Sequence, residues 1–239
     1  MNNVKNSLSQ NELEEIAETM LRDFYKNDYP HFGAVDIDRF VTEFCGYTLK
    51  YEKLSDNGRI LGVTSYKNTM LKLRRNHETE IIPLPKDTIL IEETLKDSKF
   101  CTGRLSFTTS HECAHQILFG IHPDHAELSY RNGFDPHTPY TPAFLEHILN
   151  WSEYQANSLA AALLMPFALV DLVLFRFNGN QKIILYGENV AYKDKQAFNN
   201  MASFLRVSRQ AFLIRLKELK MVEVRSGEDC TNLDIIKLD

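Results

Sequence analysis

No stretch of this sequence reaches the roughly 20 consecutive apolar residues that a membrane-spanning helix needs. The most apolar run, residues 159–175, is broken by Pro166 and Asp171, and reads as a buried helix ending near the proline. The opening residues, MNNVKNSLSQNELEE, contain no apolar segment of the kind a secretory signal carries, so no such signal is expected. Cys45, Cys101, Cys113 and Cys230 are widely spread. The absence of a C-x-x-C pair excludes a zinc ribbon or a dithiol redox motif. Free buried thiols in a reduced, cytoplasmic setting are expected instead. An excess of positive charge is also missing. The formal net charge of −5 argues against general affinity for nucleic acid or anionic membranes, while leaving room for a local basic patch. There is no internal repeat and no low-complexity segment.

What is present is an ordinary globular balance of 44% hydrophobic and 25% charged residues over 239 positions, enough for one large domain or two small ones. Ser9 and Glu12 form a capping-box pattern. Leu13, Ile16, Ala17, Met20, Leu21 and Phe24 follow at helical spacing, which predicts a helix over residues 10–25. A short helix is expected over 36–44, ended by Gly46. Residues 47–92 have the alternation of β structure, with strands at 47–51, 62–66 and 88–91 and a turn at Asp56-Asn57-Gly58. They imply a small, mostly antiparallel sheet, with the basic stretch 72–75 on a solvated loop. Helices are expected over 103–119 and from Pro142 to about residue 165, separated by a loop rich in proline and glycine. Two further helices, at 193–205 and 208–219, meet at a tight turn near Val207, and a strand at 221–224 follows. The fold class is therefore α+β.

His111-Glu112-Cys113-Ala114-His115 is an H-E-x-x-H pattern inside the third expected helix. Residues i and i+4 lie on one helix face, so two imidazoles spaced this way can bind one Zn²⁺. Glu112 then stands beside the metal without ligating it, where it can take a proton from metal-activated water. Five residues can match by chance, so a third protein ligand matters. A third histidine six residues after His115, the metzincin arrangement, is excluded because that position is Ile121 and His122 comes one residue late. A carboxylate from the second long helix is the other solution. Glu153 leads, with Asn157 one turn beyond it and able to orient a histidine. Glu127 and Glu146 are weaker candidates. His122, His125, His137 and His147 can bind metal in principle, but suit exposed or structural positions better.

Arg104-Leu105-Ser106-Phe107-Thr108-Thr109-Ser110-His111-Glu112-Cys113-Ala114-His115 resembles the R-x-x-F-T-x-x-H-E-x-x-H helix of the ImmA/IrrE metallopeptidases. Glu153-Tyr154-Gln155-Ala156-Asn157, continuing to Ala161-Ala162-Leu163-Leu164-Met165-Pro166, is similar to that family's E-x-x-A-N…A-x-x-L-L-M-P segment. Val35-Asp36-Ile37-Asp38 resembles its upstream helix start. The likeness covers roughly residues 10–170, and Cys113-Ala114 departs from the family's Leu-Gly. The resemblance implies a zincin-like helical core over residues 1–175 and a zinc endopeptidase of the gluzincin type. It implies His111, His115 and Glu153 as ligands of Zn²⁺ and Glu112 as the catalytic glutamate. The implied substrate is a protein, a helix-turn-helix transcriptional repressor.

Residues 176–239 are read as a C-terminal helix-turn-helix-like subdomain, with Ser208 as an N-cap and Arg206, Arg209, Arg215, Lys217 and Lys220 making it locally basic. Direct DNA binding needs those side chains on one exposed face; a packing or protein-docking role fits the acidic chain better. A DNA-binding regulator with a structural metal, or an interaction protein that has lost catalysis, are the competing readings. An intact Glu112 speaks against both.

Overall fold

The computed structural model describes residues 8–75, 77–96, 102–121, 129–132, 151–187, 189–226 and 235–238. Helix α1, Gln10–Tyr25, starts where the sequence places it. Ser9 Oγ accepts from the Glu12 backbone N–H, and the Glu12 carboxylate accepts from the Ser9 N–H at 2.7 Å. Such a reciprocal cap contributes about 1 kcal/mol. Leu13, Ala17 and Leu21 form its fully buried stripe. The expected helix at 36–44 is a single α-turn, α2 (Ile37–Arg39), capped by Asp36 and running into a wider π-turn at Phe40–Phe44. Gly46 follows at φ 74°, a conformation a Cβ would strain.

The first sheet has the order β1 (Thr48–Glu52), β5 (Thr88–Glu92), β2 (Ile60–Ser65), β6 (Ser129–Asn132). β2 is antiparallel to both its neighbours, whereas β1 runs parallel to β5. β5 is buried along its whole length because both faces are covered. On one face Ile89 and Ile91 meet the helices; on the other Leu90 and Val63 join Leu54, Leu71, Leu73 and Leu84 in a second, smaller core.

That smaller core corrects the reading of residues 72–75 as a solvated loop. They belong to β3 (Thr69–Arg75), which forms an antiparallel hairpin with β4 (Glu78–Leu84). Leu71 and Leu73 point inward while Met70, Lys72 and Arg74 are exposed, the period-two pattern of a half-buried strand. Lys72 and Arg74 lie on the wet face of a strand rather than in a loop, and Arg75 pairs with Glu52 and Glu80.

Helix α3, Thr102–Ile121, lies across β2 and β5 and packs on α4, Trp151–Leu164. Small residues line this helix pair. Ala114 on α3 and Ala156 and Ala160 on α4 are fully buried, and Ser110 Oγ donates to the Ala160 carbonyl at 3.2 Å. Close helix approach is what such small side chains permit. The start of the second long helix, expected near Pro142, lies outside the described residues; the described part begins at Trp151.

Pro166 ends α4 and opens α5 (Phe167–Asn178), which Gly179 closes in the left-handed conformation. The two helices bend by 48° at this break. No single described helix is long and apolar enough to cross a membrane, and Leu159, Leu163, Val170 and Val173 spend their apolar surface inside the core.

The C-terminal part carries α6 (Tyr192–Phe204) and α7 (Arg209–Glu218) beside a sheet of order β10 (Ile235–Lys237), β8 (Asn189–Ala191), β7 (Ile183–Tyr186), β9 (Val222–Arg225). Ser208 caps α7 through the Ala211 N–H, as its sequence suggests. One continuous apolar core runs from Leu13 and Ile91 through Leu163 to Phe198, Phe212 and Leu216. Arg215 departs from the expected basic face. It is fully buried and reaches across to α1, donating to Glu14 at 2.5 and 2.7 Å and, through Nε, to the Met165 carbonyl at 2.9 Å. Arg206, Arg209, Lys217 and Lys220 remain exposed.

Candidate metal centre

Helix α3 places His111 and His115 one turn apart on the side that faces α4, and the tight α3–α4 packing brings Glu153 opposite them. His115 Nε2 lies 3.0 Å from His111 Nε2. The Glu153 carboxylate straddles the pair, with Oε2 at 3.3 Å from His111 Nε2 and Oε1 at 3.1 Å from His115 Nε2. Three ligand atoms thus converge from two helices, all within 4.8 Å of one another. Metal–ligand bonds of about 2.0–2.1 Å at tetrahedral angles put ligand atoms about 3.3 Å apart, close to the distances from each histidine nitrogen to the other and to its nearer carboxylate oxygen. The group is a buried His-His-Glu cluster that could hold a metal ion.

The histidines are sealed in: His111 is 0% and His115 4% exposed. The Glu153 side chain keeps 16% exposure and marks the side from which solvent reaches the cluster. Burial opposes its ionisation, yet hydrogen bonds to His111 and His115 and their charges outweigh that cost. They hold the carboxyl far below the usual carboxylate range. Glu153 is therefore an anion throughout the neutral range, ready as a ligand. Its helix is tied down on the far side, where Gln155 Nε2 donates to the Leu8 carbonyl at 3.1 Å and Tyr154 Oη to Gln10 Oε1 at 3.4 Å.

Glu112 is fully buried beside the first histidine and lies against β2, its carboxylate over the backbone of Gly62. One turn on, Gln116 Nε2 donates to Thr64 Oγ1 at 2.6 Å and to the Ser65 carbonyl at 2.9 Å, pinning the same helix face to the same strand. Tyr66, at the end of β2, is buried against Phe119. Burial first, then the charges of Glu112 and Glu153, push its phenol up and keep it protonated.

Cys113 lies between the ligands in sequence but faces the core. Contact with Cys45 and burial push its thiol up, and it is not among the clustered ligands. Both cysteines are free, as expected; Cys101 and Cys230 lie outside the described residues.

Of the residues singled out in the sequence, His111, His115 and Glu153 are brought together, and Glu112 stands beside them. Asn157 is buried one turn beyond Glu153 on α4. The weaker candidates His122, His125, Glu127, His137, Glu146 and His147 all lie outside the described residues. Sequence reasoning missed Gly62, Gln116 and Tyr66. Two of them left a trace: a glycine inside a strand marks a close approach, and Gln116 stands four residues after Glu112 on one helix face. No family model and no curated protein matches the chain.

Proposed function

We propose that this chain is a zinc-dependent endopeptidase of the ImmA/IrrE kind, with a zincin-like core and a cytoplasmic protein substrate. The observation that carries the reading is the convergence of His111, His115 and Glu153, each histidine nitrogen 3.0–3.3 Å from the other and from one oxygen of the Glu153 carboxylate, with a second acid, Glu112, buried alongside. Two nitrogens and one carboxylate oxygen are the donor set of catalytic zinc sites, which leave a fourth position open. A structural site closes all four positions and has no use for a buried glutamate next to its ligands.

Zinc, when bound, acidifies water toward a pKa of ~7 and polarises a scissile carbonyl. The chain's own residues do the rest. His111 and His115 present neutral imidazole nitrogens, and Glu153 supplies the negative charge that offsets the cation. Glu112 takes the proton of the attacking water and hands it to the leaving amine, a general acid–base role worth roughly 10²–10⁴ in rate. The closed α3–α4 seam limits competing water and strengthens each of these interactions.

The implied substrate is a helix-turn-helix repressor, recognised through the C-terminal helix pair α6–α7, which we read as the helix-turn-helix-like subdomain. Direct DNA binding by that pair is the weaker alternative, since Arg215 is committed to the core. The test is cleavage of a repressor encoded beside this gene by the zinc-loaded protein and by Glu112→Gln. Cleavage by wild type with a variant that binds zinc but does not cut supports the reading; an undiminished rate in Glu112→Gln refutes the role given to Glu112.

A further inference from the structure

We infer that Gly62 is a positioning residue for Glu112: the side chain that β2 lacks at this point is what lets the carboxylate lie against the strand beside the two histidines. A Cβ on Gly62 would stand 2.6 Å from Glu112 Oε1, 2.7 Å from its Cγ and 2.9 Å from its carboxyl carbon. No real contact is that short at three successive atoms, so relief requires the whole glutamate side chain to leave, not merely its tip to rotate.

A left-handed backbone is not the reason for a glycine here. Among the described residues, the glycines at positive φ are Gly46, Gly58, Gly179 and Gly187; Gly62 is not one of them. It pairs regularly with Ile91 of β5 in a strand that is otherwise Ile, Leu, Val, Thr and Ser. A glycine inside such a strand gives up packing and costs conformational entropy, and close approach by another group is the usual compensation.

Two further features fix the geometry. Gln116 clamps α3 to Thr64 and Ser65, and the helix rise over four residues, about 6 Å, matches the strand rise over two, about 6.6 Å. Glu112 therefore falls on Gly62 as Gln116 falls on Thr64. The register between β2 and β6 also shifts between Ile60 and Val63. Two β2 residues, Leu61 and Gly62, stand there against Arg131 alone, which is the form of a β-bulge. Leu61 joins the core that holds Ile89 and Ile91 while its neighbour Gly62 receives Glu112, so strict alternation breaks at this point. Bulges re-aim strands next to functional side chains.

The inference deepens the proposed function, since it rests on Glu112 as the general base, but its core is a contact that can be tested without catalysis. The experiment is a double-mutant cycle on the thermal unfolding of the metal-free full chain, with Gly62→Ala, Glu112→Ala and both together. Gly62→Ala is expected to lower the melting temperature in the wild-type background and to have no such effect in the Glu112→Ala background. Should Gly62→Ala fail to fold, recovery of folding in the double variant is the same result. An equal loss in both backgrounds overturns the inference.

The second readout uses the zinc-loaded protein and acetohydroxamate as probe, a small metal chelator whose proton a correctly placed Glu112 accepts. Gly62→Ala is expected to keep its zinc and to lose at least tenfold in acetohydroxamate affinity, as Glu112→Gln does. Gly120→Ala, on the same helix with open space around it, should bind as wild type. Wild-type affinity in Gly62→Ala overturns the positioning role. A wild-type protein that cuts no substrate refutes the peptidase reading and leaves both of these results standing.

Discussion

The Glu14–Arg215–Glu218 group and the His111–His115–Glu153 group both bury ionisable side chains between helices far apart in sequence, and they complete their charge differently. In the first, the cation is part of the chain. Arg215, fully buried, grips Glu14 with two donors, gives a third to the Met165 carbonyl and stands 3.6 Å from Glu218. In the second, three ligand atoms that can each act as an acceptor point at one spot, and one of them is a carboxylate held ionised. Burying charge costs several kcal/mol unless it is paired. The first cluster carries its own cation; the second could hold a metal ion. A closed cluster fastens α7 to α1, and an open one offers chemistry.

The comparison can be broken by experiment, beginning where the effect is largest. Removing a ligand, in His115→Ala or Glu153→Ala, is expected to leave far less than one zinc per chain after dialysis, read by elemental analysis. Glu112→Gln should keep its zinc and lose roughly 10²–10⁴ in the rate of substrate cleavage. Arg215→Met should do the reverse. It leaves the zinc content intact and lowers unfolding free energy by about 3–5 kcal/mol, measured by urea denaturation, because Glu14 is stranded near the core. Replacing both Arg215 and Glu14 by apolar residues should restore most of that loss, whereas no apolar pair can restore metal binding.

The pH response sharpens the contrast further. Glu153 has its carboxyl depressed, so it stays ionised down through the usual carboxylate range and is lost as a ligand only in stronger acid. The Glu153 contribution to zinc binding should therefore persist as pH falls through the usual carboxylate range, read by calorimetric titration of zinc into the protein at successive pH values. The smallest effect belongs to neither cluster: Ser9→Ala removes the α1 cap and should cost about 1 kcal/mol, without altering zinc binding.

The sequence makes some of this legible and hides the rest for identifiable reasons. Helix α1 is announced by its own residues, since the capping box and the Leu13, Ala17, Leu21 stripe act over a few positions. The H-E-x-x-H spacing fixes His111, Glu112 and His115 on one helix for the same reason. Glu153 was legible as a candidate through its place on a second helix; what brings it to the histidines is the small-residue seam of Ala114, Ala156 and Ala160. The β3–β4 hairpin was obscured because Lys72, Arg74 and Arg75 drew attention from the alternating Leu71 and Leu73. Arg215 looked like one more exposed cation among Arg209, Lys217 and Lys220. Its partners Glu14 on α1, 201 positions away, and the Met165 carbonyl turn it inward. Helix α5 and strands β7, β8 and β10 were not anticipated either, being short elements whose pairing is decided by the rest of the fold.

The most direct test of the account is X-ray absorption at the zinc edge of the metal-loaded protein. The expected result is one tightly held zinc in four-coordinate nitrogen and oxygen surroundings at about 2.0–2.1 Å, with the outer-shell signature of two imidazoles. That signature should disappear together with the bound zinc in Glu153→Ala. A chain that binds no zinc, or a sulfur neighbour at about 2.3 Å from Cys113 or Cys45, would contradict the three-ligand site.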